Sequence, residues 1–215
     1  MTLVRTLLLA ALPLALGACA SSPPIHYFSL DDGSPTAMRS PTGLRVAVTQ
    51  VNLPDLIDRP QLVIRTARHQ LRLDDQHEWA EPLRRQLPRV IARHLGEALD
   101  SGRVFALPVD AQSYDLDFKV MLDIQRMEVI SGKCVELDAV WRVEARNGRT
   151  FFGRGLVREG IETMTEPGGD YALAVAAQNR ALRGLAKNIA SGIAGWINET
   201  AANGLSLEVQ DGTKR

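Results

Sequence analysis

The sequence predicts an α/β (α+β) domain in which a mixed, largely antiparallel sheet packs with two long helices. Two observations carry that expectation. Apolar and polar residues alternate through a series of short segments, the period of half-buried strands, and two longer stretches switch to the three- and four-residue spacing of amphipathic helices. The resulting order is β-β-β-β-α-β-β-β-β-α. Two apolar helix stripes must be buried, so both helices lie on one face of the sheet or one lies on each.

"IHYFSL" (25–30) opens the fold as a strand rich in aromatic and β-branched residues, and "DDGSPTAMRSPTG" (31–43) is a polar loop. "LRVAVTQVNL" (44–53) forms the second strand, with Leu44, Val46 and Val48 on one face. "PDLIDRP" (54–60) is a loop bracketed by prolines, after which "QLVIRT" and "HQLRLDD" read as a hairpin. Trp79, Leu83, Leu87, Val90, Ile91, Leu95 and Leu99 then make the first helical stripe. Asp74 or Asp75 is placed to cap it, Pro82 suits its first turn, and Pro88 predicts a kink or a start only after Gln86.

"RVFALPV" begins the second half. In "YDLDFKVMLDI" the residues Phe118, Val120, Leu122 and Ile124 point one way, and Met127 and Val129 fall out of phase with them. That break predicts a bulge near Gln125 or Arg126. "SGK" supplies the turn into "KCVELDAVWRVEAR", and "TFFGRGLVREGIE" follows, with Gly153 and Gly155 marking a bend or a close contact. The second helix carries Leu182, Leu185, Ile189, Ile193 and Trp196 as its buried stripe, with Asp170 as its cap. Residues 201–215 are a polar tail, expected to be disordered.

The first residues differ in kind from this domain. Arg5 is the only charge before a run from Leu7 to Leu16 that Pro13 alone interrupts, the pattern of a secretory signal. The run ends in Leu16-Gly17-Ala18-Cys19. This resembles the bacterial lipobox, which implies removal of residues 1–18 and acylation of Cys19. Ala20, where an inner-membrane protein would carry Asp, implies sorting to the outer membrane with the head facing the periplasm. Two or three acyl chains anchor firmly where one binds marginally. Residues 19–24 then form a tether, its last five residues spanning roughly 15 Å at about 3 Å per residue, and residues 25–200 form one globular domain. With Cys19 occupied, Cys134 has no partner within the chain and is expected as a packed strand residue rather than a reactive thiol or an intermolecular bridge.

The 25 basic and 25 acidic residues balance, which disfavours nucleic acid as a partner. No apolar stretch reaches the roughly 18 residues that span a bilayer. Neither G-x-S-x-G nor H-E-x-x-H occurs, and His26, His69, His77 and His94 fall at no metal-ligand spacing. The sequence therefore nominates no catalytic residue, no metal ligand and no cofactor.

"IHYFSL" behind the lipid cysteine, "LIDRPQLVIRT" and "WAEPLRRQLPRVIARHL" together resemble the PqiC/YmbA family of ABC-type transport auxiliary lipoproteins. The resemblance runs from the lipobox through the last helix. It implies a fold similar to anticodon-binding or TolB-N-terminal domains, and an outer-membrane lipoprotein that docks an MCE-domain protein of an intermembrane lipid transporter and supports membrane integrity. Because MCE assemblies are rings and tubes, it also implies that such proteins form homo-oligomers. Leu53, Leu56, Ile57, Asp58, Arg59 and Pro60 are the candidate partner-binding residues, being apolar and charged side chains in a surface loop. The other reading of that loop turns its apolar side chains inward and makes Arg59-Pro60 a structural corner. A carrier that holds an acyl chain between sheet and helices is the alternative function, and a periplasmic hydrolase a third.

Overall fold

The computed structural model describes residues 23–31, 42–106, 115–161 and 171–202. Ten elements follow one another: β1 (His26–Phe28), β2 (Val46–Asn52), β3 (Gln61–Ala67), β4 (Gln70–Trp79), α1 (Leu83–Leu99), β5 (Val104–Ala106), β6 (Phe118–Ile130), β7 (Cys134–Ala145), β8 (Thr150–Gly160) and α2 (Tyr171–Ala202). Their order is the one the periodicities predict. The cap assigned to Asp170 and the tail beyond residue 202 lie outside the described residues.

All eight strands join one mixed sheet. Its long ladders are antiparallel, β6 with β7, β7 with β8 and β3 with β4, whereas the parallel pairings are short. Strand β6 is the spine. One edge pairs with β7 along its whole length, and the other receives β2 at residues 118–123 and β3 at residues 129–130. β2 and β3 thus lie along the same edge, and residues 53–60 form the corner between them.

The bulge falls where the phase break puts it. Ile124 pairs with Ala139 and Arg126 with Asp138, leaving Gln125 as the extra residue. One inserted residue returns Met127 and Val129 to the face that holds Phe118, Val120, Leu122 and Ile124, so all six are buried together. Gly132, at φ 65°, allows the tight turn into β7.

Both helices lie on that face and touch each other, α1 over β2 and β5, α2 over β7 and β8. Leu182, Leu185, Ile189, Ile193 and Trp196 are all buried, as their spacing requires. Each such apolar side chain contributes roughly 1.5–3 kcal/mol when fully buried. Among the described residues no helix is long and apolar enough to cross a membrane.

The start of α1 corrects three expectations. Asp74 and Asp75 lie within β4, so the helix has Pro82 at its N-cap with no side-chain cap, and it begins at Leu83, ahead of Gln86, with Pro88 inside it. Trp79 closes β4 instead of joining the helix stripe, although its side chain is buried as that stripe required. The four-residue step from Trp79 to Leu83 mimics helical spacing because the turn between strand and helix is so tight.

Candidate docking surface

Among the described residues helices cover one face of the sheet only, and on the other face strand alternation decides what is presented. From β2, β6, β7 and β8, respectively, Asn52, Met121, Val140 and Phe152 point away from the helices, with Arg142 and Arg154 beside them. These side chains line a shallow, largely apolar groove of ≈540 Å³. Phe152 is 75% exposed and Leu156, two places further along the same face of β8, is 64% exposed. No other large apolar side chains among the described residues are as exposed as these.

A layer of ion pairs flanks the groove. Arg65 grips Glu128 with two parallel bonds, Nε to Oε2 at 2.7 Å and Nη2 to Oε1 at 2.6 Å, joining β3 to β6 where their ladder is shortest. Hydrogen bonding from Arg65 outweighs burial and holds the Glu128 carboxyl below its usual range. Arg154 donates to Asp138 at 3.0 and 2.7 Å and likewise lowers its pKa. Arg158 and Arg126 share Glu136. In the two pairs along β8 the carboxylate side chains are only 13% and 9% exposed, while the side chains of Arg154 and Arg158 are each 68% exposed. The acids lie beneath and the arginines form the surface. Cys134, half-buried, opens β7 opposite Gly160 at the end of this row.

At the opposite side of the sheet the N-terminal segment is tied to both helices. Leu30 is fully buried; its N–H donates to Gln86 Oε1 of α1 at 2.9 Å, and its carbonyl accepts from Asn179 Nδ2 of α2 at 2.5 Å. Asn179 Oδ1 in turn accepts from His94 Nε2 at 2.6 Å, and burial pushes the pKa of His94 down. Just before this clamp, His77 stacks between His26 and Tyr171, at 5.4 and 3.7 Å between ring centroids. The Tyr171 hydroxyl donates to Asp74 and accepts from Arg72, and burial together with the Asp74 carboxylate pushes its pKa up to about 12. A pull on residues before 26 is therefore borne by the core, not by β1 alone.

The sequence-nominated residues fall as follows. Cys19 lies outside the described residues. Ile57 is buried in the core, and Leu53 and Leu56 are half-buried against it. Asp58 is held by Arg84, Arg59 is half-buried, and Pro60 is exposed while its carbonyl accepts from the Trp79 N–H at 2.7 Å. What this corner shows to solvent is chiefly Asp55 and Pro60. The exposed pair Phe152 and Leu156 was not among the nominated residues. The signal was present in "TFFGRGLV", which carries apolar residues in both phases: Phe151 and Val157 face the helices while Phe152 and Leu156 face outward.

Residues 28–190 match the family described as the ABC-type transport auxiliary lipoprotein component. A crystal structure of an uncharacterized protein aligns with a TM-score of 0.61 at 17% identity, over 80% of this chain and 99% of that one. The crystal structure of a Xanthomonas campestris protein aligns at 0.53 and 16% identity, over 85% of this chain and 96% of that one. At these identities the likeness is one of fold. No curated protein matches the chain. The family match extends from the end of β1 past the midpoint of α2, so the chain belongs to the ABC-type transport auxiliary lipoprotein family and is a lipoprotein component associated with that class of transport.

Proposed function

We propose that the chain is a non-catalytic docking component of an intermembrane lipid-transport system. Residues 1–18 are the signal peptide, Cys19 carries the lipid anchor in the outer membrane, and residues 19–24 tether the single domain of residues 25–200 to the periplasmic face. There the domain receives an MCE-domain protein, as one copy or several, and so supports membrane integrity. The observation that carries this reading is the uncovered face of the sheet, where a groove of ≈540 Å³ adjoins two exposed apolar side chains and exposed arginines. Contiguous exposed apolar surface with a polar rim marks interaction sites. Asn52 lines the groove and leads directly into the corner of Leu53, Leu56, Ile57, Asp58, Arg59 and Pro60, which joins the contact surface through its exposed residues.

The acyl-chain carrier places its ligand between sheet and helices. That layer is filled by Phe118, Leu122, Ile124, Leu137, Leu182 and Leu185, all at or below 2% exposure, which favours docking. Chemical crosslinking in cells followed by capture of the lipoprotein tests the proposal. An MCE-domain protein encoded beside the chain is expected in the crosslinked product. Its absence, with the lipoprotein recovered in the outer membrane, would defeat the docking role.

A further inference from the structure

Strand β8 runs for 11 residues and pairs with β7 throughout; among the described residues no strand pairs with its other edge, whose end is capped where the Gly160 carbonyl accepts from Arg180 Nη2 at 2.8 Å. An open edge of this length presents a row of free N–H and C=O groups and is a template for another strand. Natural edges are blunted by being short, bulged, covered or charged. This one is long and carries no bulge in its ladder with β7. Its outward row reads Phe152, Arg154, Leu156, Arg158, apolar and cationic in turn, with the two apolar side chains about 13 Å apart.

We infer that the free edge of β8 is a strand-addition site for an extended segment of a protein partner whose outward side chains alternate apolar and acidic. Main-chain hydrogen bonds supply affinity in this mode and the alternate side chains supply selectivity. Phe152 and Leu156 take the apolar side chains of the added strand. Arg154 and Arg158 take the acidic ones, since their own carboxylate partners lie beneath them and leave the outer faces of the guanidiniums open. Arg142, exposed on the neighbouring strand and bonded to Met121 Sδ at 2.8 Å, adds a third cation. A second copy of this chain fits less well, because it would bring two such arginine rows onto one face. The identification of the segment with part of the transport partner rests on the docking reading above; the edge site itself does not.

Hydrogen exchange on the full lipidated chain in detergent tests the site, with the peptide Thr-Leu-Thr-Glu-Thr-Leu-Thr-Glu-Thr as probe and its Glu-to-Lys counterpart as control. The acidic peptide is expected to slow exchange across residues 150–160 at least tenfold and the lysine peptide to leave it unchanged. The double variant Phe152→Ser/Leu156→Ser is expected to bind at least tenfold more weakly with its thermal midpoint preserved, both side chains being exposed. Unchanged exchange with the acidic peptide, or equal slowing by both peptides, would overturn the inference. So would an edge already protected in the free protein, whether with rising concentration, as for a second copy, or independently of it, as for occupation within the chain. An MCE protein that crosslinks without protecting residues 150–160 overturns the strand site and leaves docking intact. Protection by the acidic peptide with no MCE protein captured supports the strand site and removes docking.

Discussion

Trp141 and Gly153 face each other across the β7–β8 ladder, and the indole fills the space that a β-carbon at 153 would need. The same ring also lies against Gly155, where a β-carbon would stand 3.1 Å from Cζ3 and 3.4 Å from Leu185 Cδ1. These two glycines let a large aromatic side chain lie flat between sheet and α2. They also let β8 keep its straight pairing with β7 beneath the helix, which sets the outward row of Phe152 and Leu156.

Substituting Gly153→Ala should therefore overpack a full site. Such insertions cost about 1–3 kcal/mol, read as a lowered urea midpoint with an unchanged slope. Gly195→Ala is the internal contrast. That position is exposed on α2 with nothing within 4 Å of an added β-carbon, and removing a helix-interior glycine should stabilise by about 0.5–1 kcal/mol. Equal effects of the two substitutions would contradict the packing described.

The buried His94 predicts a stability that depends on pH near neutrality. Burial lowers its pKa in the fold below the ordinary 6.5, so the unfolded chain binds the extra proton first. This contribution is complete above about pH 6.5 and is lost as pH falls below it. Urea midpoints should decline from pH 7.5 towards 5.5, and His94→Gln should flatten that decline. An identical decline in the variant would place its origin elsewhere.

Tyr171 gives a spectroscopic signature. With its hydroxyl between Asp74 and Arg72 and its pKa raised to about 12, Tyr171 should give a late step near pH 12 in an alkaline absorbance titration. Tyr171→Phe should delete that late step. The raised pKa also means that stability from this group is complete below pH 10 and is lost as pH rises towards 12.

The Arg65–Glu128 fork should matter most where β3 and β6 share only two paired residues, Ile64 with Val129 and Arg65 with Ile130. Arg65→Lys keeps the charge but loses the two parallel bonds. Amides of β3 should then exchange faster while those of β6, held by β7 along its whole length, change little. Equal acceleration in both strands would mean that the fork does not act locally.

Much of this architecture was legible because it is local. Alternation located the long strands β6 and β7, the phase slip before Met127 located the bulge, and of the bend or close contact expected at Gly153 and Gly155 the structure shows the contact, with Trp141 as its partner. Pairing across the chain was not legible. Nothing near β2 or β3 states that both align on one edge of β6, since that depends on the length of β6 and on a corner that buries Ile57. The exposed site was hidden for a related reason: alternation tells which residues share a face, but only the packing of α1 and α2 tells which face stays open. Phe152 and Leu156 show as exposed only because both helices lie on the other side of the sheet.

A photo-activated crosslinker placed at residue 152, set against one at residue 183 on the helix side, gives the most direct reading of the central claim. The MCE-domain partner should be captured from position 152 and not from 183. Capture from 183 alone, or from neither in cells where the lipoprotein reaches the outer membrane, would contradict it.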